Sequence, residues 1–263
     1  MTITIHELIQ TIIASIVDTP LEDTVDVVKI GDPHQPITGI ATTFLANRAV
    51  LEKAVAQRAN LVITHEPIYY FHHDTTDWLA GDPVYESKRQ FCEDHNLVIW
   101  RFHDYWHMHQ PDGILTGFLK QMDWESKAQP QKPFLVDLPP TRLEDLALLF
   151  KHKLGIPTVR VCGALDMPCS RLSLVLGAAG GRWQIETLRN ENADVVVCGE
   201  SNEWETCEYI RDAQFAGQDK ALIILGHANS EEGGMAYLVD WLQARYPGIP
   251  IVHIPSGDPF HYI

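Results

Sequence analysis

Short apolar runs rich in β-branched residues recur along this chain, and stretches with helical periodicity lie between most of them. "VDVVKIGD", "ITGIATTFL", "NLVITHEPI" and "LVIWRFHD" read as strands, and "TIHELIQTIIASIV", "NRAVLEKAVAQRA" and "YESKRQFCEDHN" as helices. Strands that alternate with helices join as βαβ units, which implies a largely parallel sheet covered by helices. Thr4 and Asn47 are residue types that cap the helices following them.

Proline and polar residues then crowd "MDWESKAQPQKPFLVDLPP", which reads as a linker or crossover. Beyond it, "TRLEDLALLFKHKLG" reads as a helix, with Thr141 and Glu144 spaced as a capping box and Gly155 at its stop. "TVRVCGAL", "RLSLVLGAAGG", "DVVVCGESNEW" and "KALIILGH" read as strands, and "GGMAYLVDWLQARY" as the last long helix. The expected fold class is therefore α/β (α+β in some schemes). Two α/β halves with mainly parallel sheets, residues 1–125 and 141–263, flank a connection at 126–140. The 263 residues suffice for such cores.

A net charge of −15 argues against an extended nucleic-acid or anionic-membrane surface, which needs clustered Lys and Arg. The apolar N-terminal stretch carries His6 and Glu7 and lacks a basic start, so it reads as an amphipathic helix rather than a signal peptide. No apolar run reaches the length of a membrane span. Cys92, Cys162, Cys169, Cys198 and Cys207 form no CxxC pair and read as reduced thiols of a cytoplasmic protein.

Three strand ends carry side chains of metal-ligand type. "LVITHEP" delivers His65 and Glu66, "VIWRFHDYWH" delivers His103 and His107, and "IILGHANSEE" delivers His227 and Glu231. Residues four apart share one face of a helical turn, so each of the last two pairs can converge on one ion. In open α/β sheets the crevice beyond the carboxyl ends of the strands is the usual ligand site. His72 and His73 are a competing pair, read as lining a pocket; His6, His34, His95, His109, His152 and His253 are read as structural or exposed. "VLGAAGG" offers backbone N–H groups to a phosphate, but it lacks both the GxGxxG spacing and a Walker lysine, and a tight turn is the plainer reading.

The order of these motifs resembles the Nif-three-like family of dinuclear metal-centre hexameric proteins, also described as GTP cyclohydrolase I type 2 homologues. The family's "THHP", "HTNLD" and "GH…SE" motifs correspond here to "THEP" (64–67), "HDYWH" (103–107) and "GHANSE" (226–231). "VRVCGAL", "LVLGAAGG", "ADVVVCGE" and "PSGDPF" resemble further family segments, so the likeness covers most of the chain. Glu66 stands where a second histidine is usual, and His107 where the family has aspartate. The exchange keeps four imidazoles and two carboxylates. If the family aspartate bridges two ions, either Glu66 takes over that role or the site holds one ion.

The resemblance implies two divalent cations held jointly by both halves. Imidazole and carboxylate donors suit Zn²⁺, Fe²⁺, Mn²⁺ or Co²⁺. Hydrolysis of a small molecule is the natural reaction class, and the resemblance narrows it to C–N hydrolysis of a nucleotide such as GTP. Glu200 and Glu232 are candidate proton-transfer groups. A non-catalytic metal-binding role in metal handling or regulation is the alternative. A toroidal homo-hexamer is likewise implied by the resemblance alone.

Overall fold

A computed structural model describes residues 3–263, which divide into two compact units, one running to Ile114 and including Gly234–Gly257, the other comprising Leu115–Gly233 with Asp258–Ile263. The first unit begins with α1 (Ile5–Ala14), β1 (Val28–Ile30), β2 (Ile40–Thr43), α2 (Arg48–Ala56) and β3 (Leu61–Thr64). It continues with α3 (Pro83–Asp94), β4 (Val98–Arg101) and α4 (Asp104–Met108). The boundary then falls within α5 (Gly113–Met122). The second unit holds β5 (Ala128–Gln129), β6 (Lys132–Arg142), α6 (Leu143–Leu154), β7 (Arg160–Cys162) and β8 (Pro168–Val175). α7 (Gly181–Asn190), β9 (Val195–Cys198), α8 (Glu208–Phe215) and β10 (Ala221–Ile224) follow. After α9 (His227–Arg245), β11 (Ile251–His253) joins the sheet of the first unit.

The first sheet has the order β1-β4-β3-β2-β11. β11, β2, β3 and β4 run parallel, and β1 closes one edge antiparallel. Every residue of β2, β3 and β4 is buried, as expected for strands covered on both faces. The second sheet has the order β5-β6-β8-β9-β10-β7. Only its centre, β8, β9 and β10, is parallel; β5, β6 and β7 pair antiparallel. The fold is thus α/β with two helix-flanked sheets, but "mainly parallel" describes the first sheet and only the middle of the second.

Local chemistry explains most element ends. Thr4 and Glu7 close a capping box on α1, whose Ile5, Leu8, Ile9, Ile12 and Ile13 are buried. Asn47 caps α2 through the Val50 amide. Gly155, at φ 66°, ends α6 in the left-handed region. The capping box expected at Thr141 and Glu144 does not form: Thr141 belongs to β6 and donates to the Pro139 carbonyl, and α6 starts at Leu143 without a side-chain cap. Residues 126–140, expected as a connection, instead carry β5 and most of β6. Pro139 and Pro140 are tolerated where β6 shifts register between Asp137 and Thr141.

One buried charge is costly. Lys88 on α3 is 6 % exposed and gives one hydrogen bond, 2.6 Å to the Ile68 carbonyl. Burial pushes its pKa from the usual 10.5 down to about 8. Below pH 8 the fold carries a charge penalty of about 3 kcal/mol. Between pH 8 and 10.5 the folded chain holds fewer protons than the unfolded one, so stability rises with pH. Lys88→Met is therefore expected to stabilise the chain at pH 7 by about 2 kcal/mol, after the lost hydrogen bond is deducted. Urea unfolding at pH 7 and pH 10 checks this: the variant's advantage should vanish or reverse at the higher pH.

Candidate metal centre

In the first unit, His65 and Glu66 follow β3, and His103 follows the adjacent parallel strand β4. The amides of His65 and Glu66 donate to the Phe44 carbonyl at the end of β2, which fixes that turn. His103 precedes α4, and the His107 amide donates to the His103 carbonyl, so the two share one helical turn. The ring centroids lie 4.6 Å apart for His65 and His103, 4.9 Å for His103 and His107, and 5.1 Å for His65 and His107. One nitrogen from each ring falls within 4.8 Å of the others.

Each imidazole is oriented through Nδ1. His65 Nδ1 lies 3.2 Å from the Phe102 carbonyl, His103 Nδ1 2.8 Å from Asp104, and His107 Nδ1 2.9 Å from Asp112. A carbonyl or carboxylate only accepts, so a ring hydrogen sits on Nδ1, and in the neutral ring the lone pair is on Nε2. This is the arrangement by which outer carboxylates and carbonyls present histidine to a metal.

Residues outside the sequence motifs hold the cluster. Asp26, 4 % exposed, accepts the amides of His103 at 2.7 Å, Asp104 at 3.0 Å and Tyr105 at 2.8 Å, capping α4 from a distant loop. Burial raises the Asp26 pKa against those three bonds. Burial also pushes Asp104 upward, but its bonds to His103, Thr24 and the Val25 amide win and hold its pKa low. Arg101 is fully buried on β4. It donates Nε to the His65 carbonyl at 3.1 Å, Nη1 to the His72 carbonyl, and Nη2 to Glu66 at 3.4 Å. Arg101 was legible as a charged residue inside an otherwise apolar strand; Asp26 had no sequence signal.

In the second unit, His227 opens α9, beyond β10, and Glu231 lies one turn further along the same helix. His227 Nδ1 lies 2.9 Å from Glu200, which follows β9, and Nε2 lies 3.1 Å from Glu231. With its Nδ1 hydrogen serving Glu200, the neutral ring turns the Nε2 lone pair toward a carboxylate that is 4 % exposed. Two lone pairs face each other stably only across a proton or a metal ion. Gly177, beyond β8, has φ +65°, and a Cβ there would lie 2.1 Å from Glu231 Oε1. The Gly177 amide donates to Ser230, whose hydroxyl donates to the His227 carbonyl. "VLGAAGG" thus makes room for the His227–Glu231 pair. Farther along, the Gly181 amide donates to Glu205, so an internal carboxylate takes the place of a bound phosphate.

The donor chemistry fits divalent cations: four imidazoles with Nδ1 anchored and Nε2 presented, each beside carboxylates. Glu200 contacts His227 directly and acts as its orienter. Glu232 is half-buried one residue past Glu231, about 100° around the helix. His72 lies beside the trio, its ring 6.1 Å from that of His103. His109 and His253 are structural, bonded to Trp241 and Thr42.

Fold and site describe a protein with two α/β units whose strand ends gather histidines and carboxylates. The chain belongs to the DUF34/NIF3 family (NGG1p interacting factor 3), whose profile matches residues 3–259. A protein of Chlamydia pneumoniae named GTP cyclohydrolase 1 type 2 homolog is 22% identical over 248 residues, 88% of this chain and 89% of its own. A hypothetical protein of Staphylococcus aureus has a similar crystal structure, with a TM-score of 0.78 and 20% identity over 100% of both chains. A NIF3-related protein of Bacillus cereus superposes with a TM-score of 0.76 at 15% identity, covering 100% of this chain and 99% of its own. At these identities the structures establish the fold alone. Among the described residues no helix is long and apolar enough to cross a membrane.

Removing Asp26 should disturb the site without touching a candidate ligand. Asp26→Ala leaves three amides without their acceptor, and a loss of about 2 kcal/mol in urea unfolding is expected.

Proposed function

We propose that this protein is a metal-dependent hydrolase in which His65, Glu66, His103, His107, His227 and Glu231 hold two divalent cations, with a nucleotide as the substrate class. The observation that carries it is the shared anchoring of four imidazoles through Nδ1, by Phe102, Asp104, Asp112 and Glu200. Metal binding selects this pattern, because it needs both the tautomer and the ring orientation fixed before the ion arrives.

Divalent ions there would bring water toward ionisation at neutral pH and polarise a carbonyl, amidine or phosphoryl group. The chain's own residues do the positioning. Asp104, Asp112 and Glu200 hold hydrogens at Nδ1, Arg101 steadies Glu66, and Glu232 is the candidate to carry a proton to the leaving group. The name GTP cyclohydrolase 1 type 2 homolog, carried by relatives, supports C–N hydrolysis of a guanine nucleotide. The family resemblance supports a homo-hexamer, and five free cysteines support a reducing, cytoplasmic setting.

Metal analysis of protein purified without chelator tests the reading. The parent should carry close to two ions per chain, and His103→Ala and His227→Ala should each lose at least half of them. Unchanged content in both variants would sink the assignment. GTP turnover by the metallated parent should fall about 100-fold or more in each variant. Bound metal without turnover of any nucleotide would favour a metal-handling role instead.

A further inference from the structure

A second feature of the first unit lies outside the histidine cluster. The first turns of α2 and α3 border an open cleft of about 460 Å³, within the range of small-ligand pockets. Leu45, Val84 and Tyr70 supply apolar wall, and Arg48, Ser87 and Lys88 supply polar groups. Tyr70 sits at φ 63°, a left-handed conformation that costs a non-glycine residue energy. Its ring lies 5.5 Å from the Lys88 ammonium.

Lys88 lines this cleft as a buried cation without a matching carboxylate. Among the described residues no carboxylate meets it in an ion pair, and those around it have other contacts. Glu52 pairs with Arg48 at 3.0 Å. Asp82 caps α3, accepting the Val84 and Tyr85 amides at 2.9 Å each. Asp74 accepts the Tyr69 amide at 2.7 Å and meets Lys29 at 3.7 Å. Arg48 is pre-positioned, its guanidinium 3.8 Å above the Phe91 ring. The lysine's other neighbours, Tyr69 and Cys92, are neutral at pH 7; burial pushes the Tyr69 hydroxyl far upward and the Cys92 thiol up to about 11. Holding an unbalanced ammonium in this way is unfavourable to the fold. A ligand that brings the missing negative charge recovers that cost on binding.

We propose that this cleft binds a small molecule bearing an oxyanion, a phosphate or carboxylate group, through Lys88 and Arg48, with its apolar part against Leu45, Val84 and Tyr70. The site is separate from the histidine cluster and does not rest on the metal reading.

Competitive acetylation of the full-length protein at pH 8, mapped by mass spectrometry, tests the proposal with inorganic phosphate as probe. Phosphate should slow acetylation of Lys88 relative to chloride at equal ionic strength, about tenfold at roughly 10 mM for a millimolar site. The exposed Lys53 should be unaffected. Arg48→Gln should remove most of the protection, and His103→Ala should leave it intact. Equal labelling of Lys88 in phosphate and chloride overturns the proposal, a result that stands on the parent chain alone. Protection that survives Arg48→Gln undiminished, or disappears in His103→Ala, overturns it as well, because the ion would then act from elsewhere.

Discussion

Parallel, in-register pairing of fully buried strands is the constraint on which the rest depends. Ile40 stands opposite Leu61, and Leu61 opposite Val98, so β2, β3 and β4 end side by side. β8, β9 and β10 do the same in the second unit, with Val175 opposite Cys198 and Cys198 opposite Ile224. The chain must turn at each of these ends, and the turns are where polar side chains can be spared from the core. His65 and His103 meet because their strands are neighbours. Gly177, Glu200 and His227 meet for the same reason.

Having brought imidazoles together, the fold must prevent them from rotating or choosing the wrong tautomer. It does so with acceptors placed on different elements: a backbone carbonyl for His65, local carboxylates for His103 and His107, and the end of another strand for His227. The supports are themselves supported. Asp104 is held by Thr24 and the Val25 amide, and the start of α4 by Asp26, all from the loop before β1. The loop leading into a short antiparallel edge strand thereby helps determine the position of His103 and, through the shared helical turn, of His107.

Much of this was legible in sequence. Uniformly apolar strands announced a parallel core, and polar residues of ligand type at their ends marked the candidate site. What escaped was of two kinds. Antiparallel β6 was hidden by its prolines, which suggest a connection until a register shift gives them somewhere to sit. Thr141 shows the same limit, since its spacing to Glu144 fits a cap but its backbone was already committed to a strand. One supporting residue escaped for a different reason: Asp26 acts on His103, Asp104 and Tyr105 at a sequence separation that no local pattern encodes. "VLGAAGG" was misleading because a glycine that makes room for a side chain looks the same in sequence as one that makes room for a phosphate.

The two departures from the usual family motifs have a common explanation in charge. Arg101 is wholly buried beside position 66, and a buried guanidinium needs a carboxylate close by. A histidine at 66 would leave that cation unpaired, so Glu66 answers a demand set by β4 rather than by a metal alone. At position 107 an imidazole replaces a carboxylate, but Asp112 lies 2.9 Å from its Nδ1. The negative charge is moved one residue outward and reaches the cluster through the ring, as Asp104 and Glu200 do for His103 and His227. Both substitutions therefore preserve the electrostatic balance around the cluster while changing which atoms face its centre. The proposed metal role is compatible with a donor set altered in this way, because attraction for a divalent cation depends on the summed charge and on oriented lone pairs more than on which residue type supplies each.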